Sequence, residues 1–163
     1  METRFFIVMG VSGCGKSTVG RRLATRLGWE FYDADDFHPP ENVAKMATGT
    51  PLDDDDRHPW LVTLHDLIAA SLATDKSGVL ACSALKESYR QTLLKNNANV
   101  QIVYLKGSFE LIQTRMRARS EHYMKPEMLQ SQFDALEEPA GALTVSISLK
   151  VDEIVDRILS GSN

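Results

Sequence analysis

The sequence has few cysteines, no long hydrophobic run and no excess of positive charge, and each shortage excludes a class of protein. Its two cysteines, Cys14 and Cys82, are too few for a disulfide framework and lack metal-ligand spacing, so we expect reduced thiols. The apolar run before Gly10 is too short for a signal peptide core or a membrane span. A net charge of -4 offers no general attraction for nucleic acid. We therefore expect a cytoplasmic protein with no membrane or nucleic-acid partner.

What is present fits a single folded domain spanning residues 1–163. Hydrophobic residues make up 43% of the chain and charged residues 25%, as in ordinary globular proteins. Apolar runs predict five strands, separated by helical patterns, at 5–9, 30–35, 78–83, 100–105 and 143–149. Because strands alternate with helices, we predict an α/β fold: a five-stranded parallel sheet with helices on both faces.

A glycine-rich segment follows the first predicted strand and precedes a helical pattern. It fits GxxxxGK[ST], in which backbone N–H groups surround phosphates, the lysine neutralises them and the hydroxyl holds Mg²⁺. The helix that follows runs from Ser17 to a stop at Gly28 and adds a dipole that favours anions. We therefore predict a nucleotide phosphate site, with Lys16 also catalytic, formed by Gly10, Val11, Ser12, Gly13, Cys14, Gly15, Lys16, Ser17 and Thr18.

Two aspartates, Asp33 and Asp35, end the second predicted strand. Alternation along a strand would put both side chains on one face, and ligands bind at the carboxyl ends of parallel strands. One carboxylate can orient a water on Mg²⁺, beside Ser17, and the other can accept a proton from an attacking hydroxyl; of the two, we favour Asp33 for the metal, through water, and Asp35 for the proton. A solvated acidic strand end is an equally weighted interpretation of the spacing alone.

The connection between the second and third strands, residues 36–77, is unusually long and carries two helical patterns. Pro40 can open the first helix, with Gly49 as its stop, and the second helix is expected to open near Pro59. Because a single crossover helix would suffice to join parallel strands, we interpret this stretch as an insertion, and its tandem helices suit the binding of an acceptor substrate.

Two side chains of the insertion are candidates for contact with that substrate. Arg57 follows an acidic run, 53–56, for which helix capping is the favoured interpretation. The Arg57 guanidinium could grip an anionic substrate with two hydrogen bonds. His38 could hydrogen-bond substrate, although a lone histidine before two prolines is more often structural.

Further along the chain, two basic clusters lie where a phosphate site would open. A helix predicted from Ala84 places Lys86 and Arg90 four residues apart on one face, where they could hold a carboxylate. Residues 119–127 interrupt the helices after the fourth strand and could form a lid, with Arg119 stabilising the transferring phosphoryl group. Both clusters would also suit ordinary solvent-exposed helices.

Taken together, these motifs resemble those of the gluconokinase family across nearly the whole chain. The resemblance begins with residues 9–17 and continues through the insertion and the third strand to the region after Arg119. Its further residues are Asp33, Ala34, Asp35, His38, Pro39, Asn42, Lys45, Met46, Gly49, Thr50, Pro51, Leu52, Asp54 to Arg57, Pro59, Trp60, Ser83 to Lys86, Tyr89, Arg90, His122 and Leu129 to Phe133.

This resemblance implies an activity, a fold and an assembly. The activity is ATP-dependent phosphorylation of D-gluconate at its 6-hydroxyl, and the fold is a P-loop kinase fold like that of shikimate and adenylate kinases. A homodimer is also implied. Shikimate kinases typically have a glycine triplet after strand three, where this chain has residues 83–86, which favours gluconate. The alternatives are a kinase of another small acid or of a nucleotide, and a GTPase-like or nucleotide-sensing switch without an acceptor.

Overall fold

A fully buried strand, β1 (Phe5–Met9), lies at the centre of the sheet. The computed structural model describes residues 4–118 and 126–161. The other strands are β2 (Glu30–Asp33), β3 (Gly78–Ala81), β4 (Val100–Lys106) and β5 (Leu143–Ser146). They pair in the order β2-β3-β1-β4-β5, and every pairing is parallel. The predicted five-stranded parallel sheet is therefore confirmed.

Helices cover both faces of this sheet, as predicted for an α/β fold. They are α1 (Lys16–Leu27), α2 (Pro40–Ala47), α3 (Asp54–Ala73), α4 (Glu87–Leu94), α5 (Phe109–Ala118), α6 (Pro126–Ala135) and α7 (Val151–Gly161). One apolar cluster joins the sheet to α1, α5, α6 and α7, and the other joins it to α3 and α4. Within residues 4–118 and 126–161, no helix combines the length and apolar character needed to cross a bilayer.

Alternation along β1 divides its side chains between these two clusters. Phe6 and Val8 belong to the cluster beneath α1, whereas Phe5, Ile7 and Met9 belong to the cluster beneath α3. All five are at most 1% exposed, which explains why the strand is an unbroken apolar run. The end of β1 is thereby fixed from both sides, and the glycine-rich segment that follows starts from a rigid base.

The second strand ends earlier than the sequence predicts. It stops at Asp33, and Ala34–Phe37 forms a 3-10 helix instead of continuing the strand. The cause is local, since the Asp33 carboxylate accepts a hydrogen bond of 3.0 Å from the backbone N–H of Asp35 and caps the new helix. The prediction that strand alternation places the Asp33 and Asp35 side chains on one face of the sheet is therefore wrong. The two residues are nevertheless adjacent, joined by this hydrogen bond.

The helix expected to begin at Ala84 begins at Glu87 instead. Ala84 has a left-handed backbone, with φ of 45°, and Lys86 is extended, with φ of -101° and ψ of 146°. A helix cannot pass through either conformation. Lys86 and Arg90 are therefore not an i, i+4 pair on one helical face, and that part of the prediction is wrong.

The long helix of the insertion starts several residues before Pro59, the predicted starting point. The Asp53 side chain accepts from the N–H of Asp56 at 2.7 Å, and the Asp56 side chain accepts from the N–H of Asp53 at 3.0 Å. This reciprocal capping box stabilises a start at Asp54 and leaves Pro59 inside the helix. The favoured capping interpretation of the acidic run is confirmed, as is the predicted start of α2 at Pro40.

Candidate active site

A cavity of about 790 Å³ opens at the carboxyl ends of β1, β2 and β3. Its lining comes from the glycine-rich loop, the end of β2, the insertion and α6. In an open parallel sheet, this crevice is where ligands bind. Six of the residues predicted from the sequence line this one cavity: Lys16, Ser17, Asp33, Asp35, His38 and Arg57.

The loop between β1 and α1 takes a form that depends on glycine. Gly10, Gly13 and Gly15 have φ angles of 152°, 82° and 95°, which other residues rarely adopt. A Cβ at Gly10 would lie 2.6 Å from the Sγ of Cys14. The Lys16 Nζ donates to the carbonyl of Val11 at 3.1 Å, so the ammonium group lies over the loop. The loop thus combines a cation with the N-terminus of α1, a pairing suited to phosphate.

Oxygen donors lie next to this loop, at the end of β2. The Ser17 Oγ donates to the Asp33 Oδ2 at 3.2 Å, while the other oxygen of Asp33 caps the 3-10 helix. A hydroxyl and a carboxylate are the hard ligands that Mg²⁺ prefers, and Mg²⁺ usually takes only one or two protein ligands beside phosphates and water. In the described part of the chain no group of three or more His, Cys, Asp or Glu residues is placed to hold a metal ion.

Asp35 presents its carboxylate to the cavity from the first turn of the 3-10 helix. The side chain is 87% exposed to water and borders the walls of the cleft. Desolvation by those walls raises the pKa of Asp35, and the charge of Asp33 raises it further. A carboxylate that is accessible and unusually basic is suited to accept a proton.

His38 lies beside Asp35 against an aromatic wall that the sequence did not assign to the site. Its ring stacks on Trp60, with centroids 4.3 Å apart and planes 13° from parallel. Burial lowers the pKa of His38, and the charge of Asp35 partly offsets this. The Nε2 of His38 is 3.9 Å from the Asp35 Oδ1, beyond hydrogen-bond length. His38 is therefore a neutral ring at neutral pH, and it faces the predicted base.

Arg57 is the cation that the insertion contributes to the cavity lining. It lies in the second turn of α3, and its NH1 donates to the Tyr89 hydroxyl at 3.2 Å. That hydroxyl in turn donates to Asp54 at 2.5 Å, and the Lys86 Nζ also donates to Asp54, at 3.2 Å. Lys86 is not part of the cavity lining. It is connected to Arg57 through the Asp54 and Tyr89 side chains.

Arg90, the other predicted carboxylate ligand, is not at the cavity. Its side chain is 2% exposed and its guanidinium is enclosed by protein acceptors. These are the carbonyls of Ala84 at 2.7 Å, Leu85 at 3.1 Å and Glu137 at 2.8 Å, and the Glu87 carboxylate at 3.0 Å. The position of Arg90 thus corrects the sequence prediction, because its donors stabilise the loop between β3 and α4 instead of facing a ligand.

Helix α6 supplies a contact to the glycine-rich loop that no local pattern predicts. The Oε1 of Gln132 accepts from the N–H of Ser12 at 2.7 Å, and the Nε2 of Gln132 donates to the Ser12 Oγ at 2.8 Å. Because the two residues are 120 positions apart, no periodic pattern in the sequence predicts their contact.

Arg119, predicted as a catalytic lid arginine, lies outside the described residues, as does most of the predicted lid at 119–127.

A second cavity, of about 390 Å³, also borders the glycine-rich loop. Gly13, Gly15 and Thr18 border both cavities, whereas Arg115 and Lys150 border only the second. The NH2 of Arg115 donates to the carbonyl of Ile147 at 2.5 Å, which joins α5 to the chain after β5. The two cavities share this loop, so a ligand whose phosphate groups bind the loop can extend into either cavity.

Comparison with known proteins agrees with this geometry. The sequence model of the shikimate kinase family matches residues 12–160. A probable gluconokinase of Mus musculus is 46% identical over 94% of each chain, and the thermoresistant gluconokinase of Escherichia coli is 41% identical over 99% of this chain and 92% of its own.

The chain belongs to the gluconokinase family. A gluconokinase structure from Sinorhizobium meliloti superposes with a TM-score of 0.88 at 41% identity, covering 97% of this chain and 90% of its own. A shikimate kinase from Aquifex aeolicus, at 19% identity and a TM-score of 0.65, shares the fold. As a gluconokinase family member the chain is a kinase, so the switch without an acceptor is no longer favoured.

Proposed function

We propose that this protein transfers the γ-phosphoryl group of ATP to the 6-hydroxyl of D-gluconate, giving 6-phospho-D-gluconate and ADP. The product would feed the pentose phosphate pathway. One observation carries the proposal: the phosphate loop, the basic Asp35 carboxylate and the cationic Arg57 line a single cavity. Identities of 41% to 46% with gluconokinases over most of the chain support gluconate as the acceptor.

The phosphate loop and Lys16 would hold the β- and γ-phosphates of ATP. Ser17 would hold Mg²⁺ directly and Asp33 would hold it through water, since their oxygen atoms are already 3.2 Å apart. When bound, the metal ion neutralises charge on the phosphate oxygens. The second cavity, bordered by Arg115 and Lys150, offers the adenosine part of the nucleotide a place beside the same loop.

The acceptor would bind between Asp35 and Arg57. Arg57 is the insertion's cation in the cavity lining, so we assign it the gluconate carboxylate, with Lys86 supporting it through Asp54. In the reaction, the bond from the γ-phosphorus to the β,γ-bridging oxygen breaks and a bond to the 6-oxygen forms. The hydroxyl proton passes to Asp35, and the electron pair of the broken bond remains on ADP.

Three larger features complete the proposal. The insertion at 36–77 would close on the acceptor, and a lid at 119–127 would bring Arg119 to the transferring phosphoryl group. The protein would act as a homodimer in the cytoplasm, where reduced thiols such as the free Cys14 and Cys82 are the norm. Light scattering coupled to size-exclusion chromatography would measure the assembly.

The acceptor is tested by measuring ADP release with ATP and Mg²⁺ against a panel of candidate acceptors. The panel contains D-gluconate, related sugar acids, shikimate and nucleoside monophosphates. We expect D-gluconate to give the highest kcat/KM. Shikimate is the second candidate, because the matching family model is that of shikimate kinase. A higher kcat/KM with shikimate or a nucleotide would replace gluconate as the substrate.

The role of Asp35 is tested by Asp35→Asn, which keeps the shape of the side chain and removes its basicity. We expect kcat to fall by about 10²- to 10⁴-fold, the usual contribution of a general base. ATP binding, measured by calorimetry, should be nearly unchanged, because the phosphate loop, Lys16 and Ser17, and not Asp35, would hold the nucleotide phosphates. A variant with normal kcat would remove Asp35 from this role.

A further inference from the structure

A buried amide lies behind the histidine that faces the predicted base. Asn42, on α2, is 3% exposed, one of three buried polar or charged residues in the described part of the chain. Its Nδ2 donates to the backbone carbonyl of Asp56 at 2.9 Å. The same Nδ2 lies 3.2 Å from the Nδ1 of His38. Asn42 therefore connects the 3-10 helix region to the first turn of α3.

These two contacts determine which ring nitrogen of His38 carries the proton. A backbone carbonyl oxygen only accepts hydrogen bonds, so the Asn42 atom facing Asp56 must be the amide nitrogen. That nitrogen is a donor, and it therefore requires a lone pair on the Nδ1 of His38. In the neutral imidazole the proton then lies on Nε2.

The protonated nitrogen points toward Asp35. The Nε2 of His38 lies 3.9 Å from the Asp35 Oδ1. Stacking on Trp60 fixes the plane of the ring, and Trp60 is itself fixed by a hydrogen bond of 2.7 Å from its Nε1 to the carbonyl of Ala34. The ring is thus held on one side by an indole and at Nδ1 by an amide, and Nε2–H remains as the ring donor without a hydrogen bond to residues 4–118 or 126–161.

We propose that Asn42 is a positioning residue that holds His38 in the Nε2–H tautomer, so that His38 donates to Oδ1 of Asp35 and leaves Oδ2 for the acceptor hydroxyl. The step from 3.9 Å to hydrogen-bond length requires a shift of about 1 Å, which a rotation of the exposed Asp35 side chain can supply. The catalytic part of this inference rests on the proposed kinase function, whereas the tautomer follows from Asn42 alone.

The tautomer is tested by NMR of protein labelled with ¹⁵N-histidine, at a pH where the imidazole is neutral. His38→Gln assigns the signals of His38. We expect the wild-type Nδ1 to show the shift of an unprotonated nitrogen and Nε2 that of a protonated one. In Asn42→Asp, which replaces the amide donor by an acceptor, we expect a proton on Nδ1. A wild-type ring protonated at Nδ1, or an Asn42→Asp ring unchanged, would overturn the assignment.

The catalytic consequence is tested by kinetics on the same variants. We expect kcat with gluconate to fall at least about tenfold in Asn42→Asp and Asn42→Ala, with KM for ATP unchanged. His38→Gln keeps an N–H donor near the Nε2 position, so it should retain more kcat than His38→Ala. Equal losses in those two variants, or normal kcat in both Asn42 variants, would show that His38 does not position Asp35.

Two controls separate this inference from folding and from the proposed function. Thermal unfolding of each variant identifies losses of kcat that come from lost folded protein. His65→Gln, a change at a histidine that bonds Asp66 and the Lys95 carbonyl, should leave kcat and the His38 signals unchanged. If the wild type does not phosphorylate gluconate, the proposed function fails, while the NMR result still decides the tautomer.

Discussion

At the scale of single residues, one cleft moves two pKa values in opposite directions. Desolvation raises the pKa of Asp35 and lowers that of His38, because in both cases it disfavours the charged form. Each group partly offsets the shift of the other through its charge. The outcome at neutral pH is a neutral donor beside a carboxylate of raised basicity, and such a carboxylate is suited to accept a proton from an alcohol.

The raised pKa of Asp35 predicts the acid side of the pH profile. Turnover needs the ionised carboxylate, and kcat/KM reports the ionisation of the enzyme before gluconate binds, so kcat/KM for gluconate should fall as the pH drops through a pKa above the usual 3.8. The measurement is kcat/KM for gluconate across the acid range, with circular dichroism at each pH to show that the protein stays folded. A kcat/KM that is constant down to about pH 4 would contradict the shift.

Arg90 was predicted to bind the substrate carboxylate, but its guanidinium stabilises the fold. Its guanidinium donates to three carbonyls and one carboxylate, a set that a single ammonium group cannot match. We expect Arg90→Lys to lower the free energy of unfolding by about 2–3 kcal/mol, measured in urea, because buried acceptors lose their donors.

The same variant distinguishes a structural role from a substrate-binding one. KM for gluconate should stay near the wild-type value in Arg90→Lys wherever the protein is folded. Arg22→Lys is the matched control, since Arg22 forms a surface ion pair with Asp152 at 3.5 Å and the change should cost less than about 0.5 kcal/mol. A large rise in KM with unchanged stability would return Arg90 to the substrate site.

At the scale of elements, the sequence predicted the middles of helices and strands better than their ends. Periodicity and an apolar run identified α1 and β1, since both signals extend over the whole element. The ends depend on single contacts. The Asp33 carboxylate that ends β2, and the left-handed Ala84 that delays α4, leave no periodic signal in the sequence.

The start of α3 gives a prediction at this scale. Asp53 caps the helix through the N–H of Asp56, so Asp53→Ala should lower the free energy of unfolding by about 1 kcal/mol. Urea denaturation measures the change. Asp55→Ala, in the same first turn but outside the capping box, is the control and should cost less, because it loses only a favourable dipole interaction. Equal effects would mean that charge, not the cap, stabilises the start of the helix.

At the scale of the whole molecule, the site combines parts that differ in how well a sequence reveals them. The glycine-rich loop and the Asp33–Asp35 pair are short motifs whose chemistry was predicted from spacing. The contact between Ser12 and Gln132 spans 120 residues, and Trp60 joins the site only because α3 packs over the 3-10 helix. Such pairs are products of tertiary packing, so only the folded chain identifies them.

The two free thiols lie within the phosphate loop and beside it. Cys14 and Cys82 are each 1% exposed. Burial raises the pKa of both, to about 12 for Cys82, and reaction with a disulfide reagent requires the thiolate. We expect the native protein to react slowly, at a rate set by the small unfolded population. The measurement is the release of thionitrobenzoate from a chromogenic disulfide over hours.

Nucleotide should slow that reaction by a predictable amount, because a ligand that binds only the folded state reduces the unfolded population. At a concentration 100 times Kd, an ATP analogue with Mg²⁺ adds about 2.7 kcal/mol to the free energy of unfolding, which corresponds to labelling about a hundredfold slower. Lys16→Ala should lose most of this protection, since Lys16 is part of the phosphate loop. Rapid labelling that nucleotide does not slow would instead mean that the thiols become accessible through motions unconnected to either nucleotide binding or global unfolding.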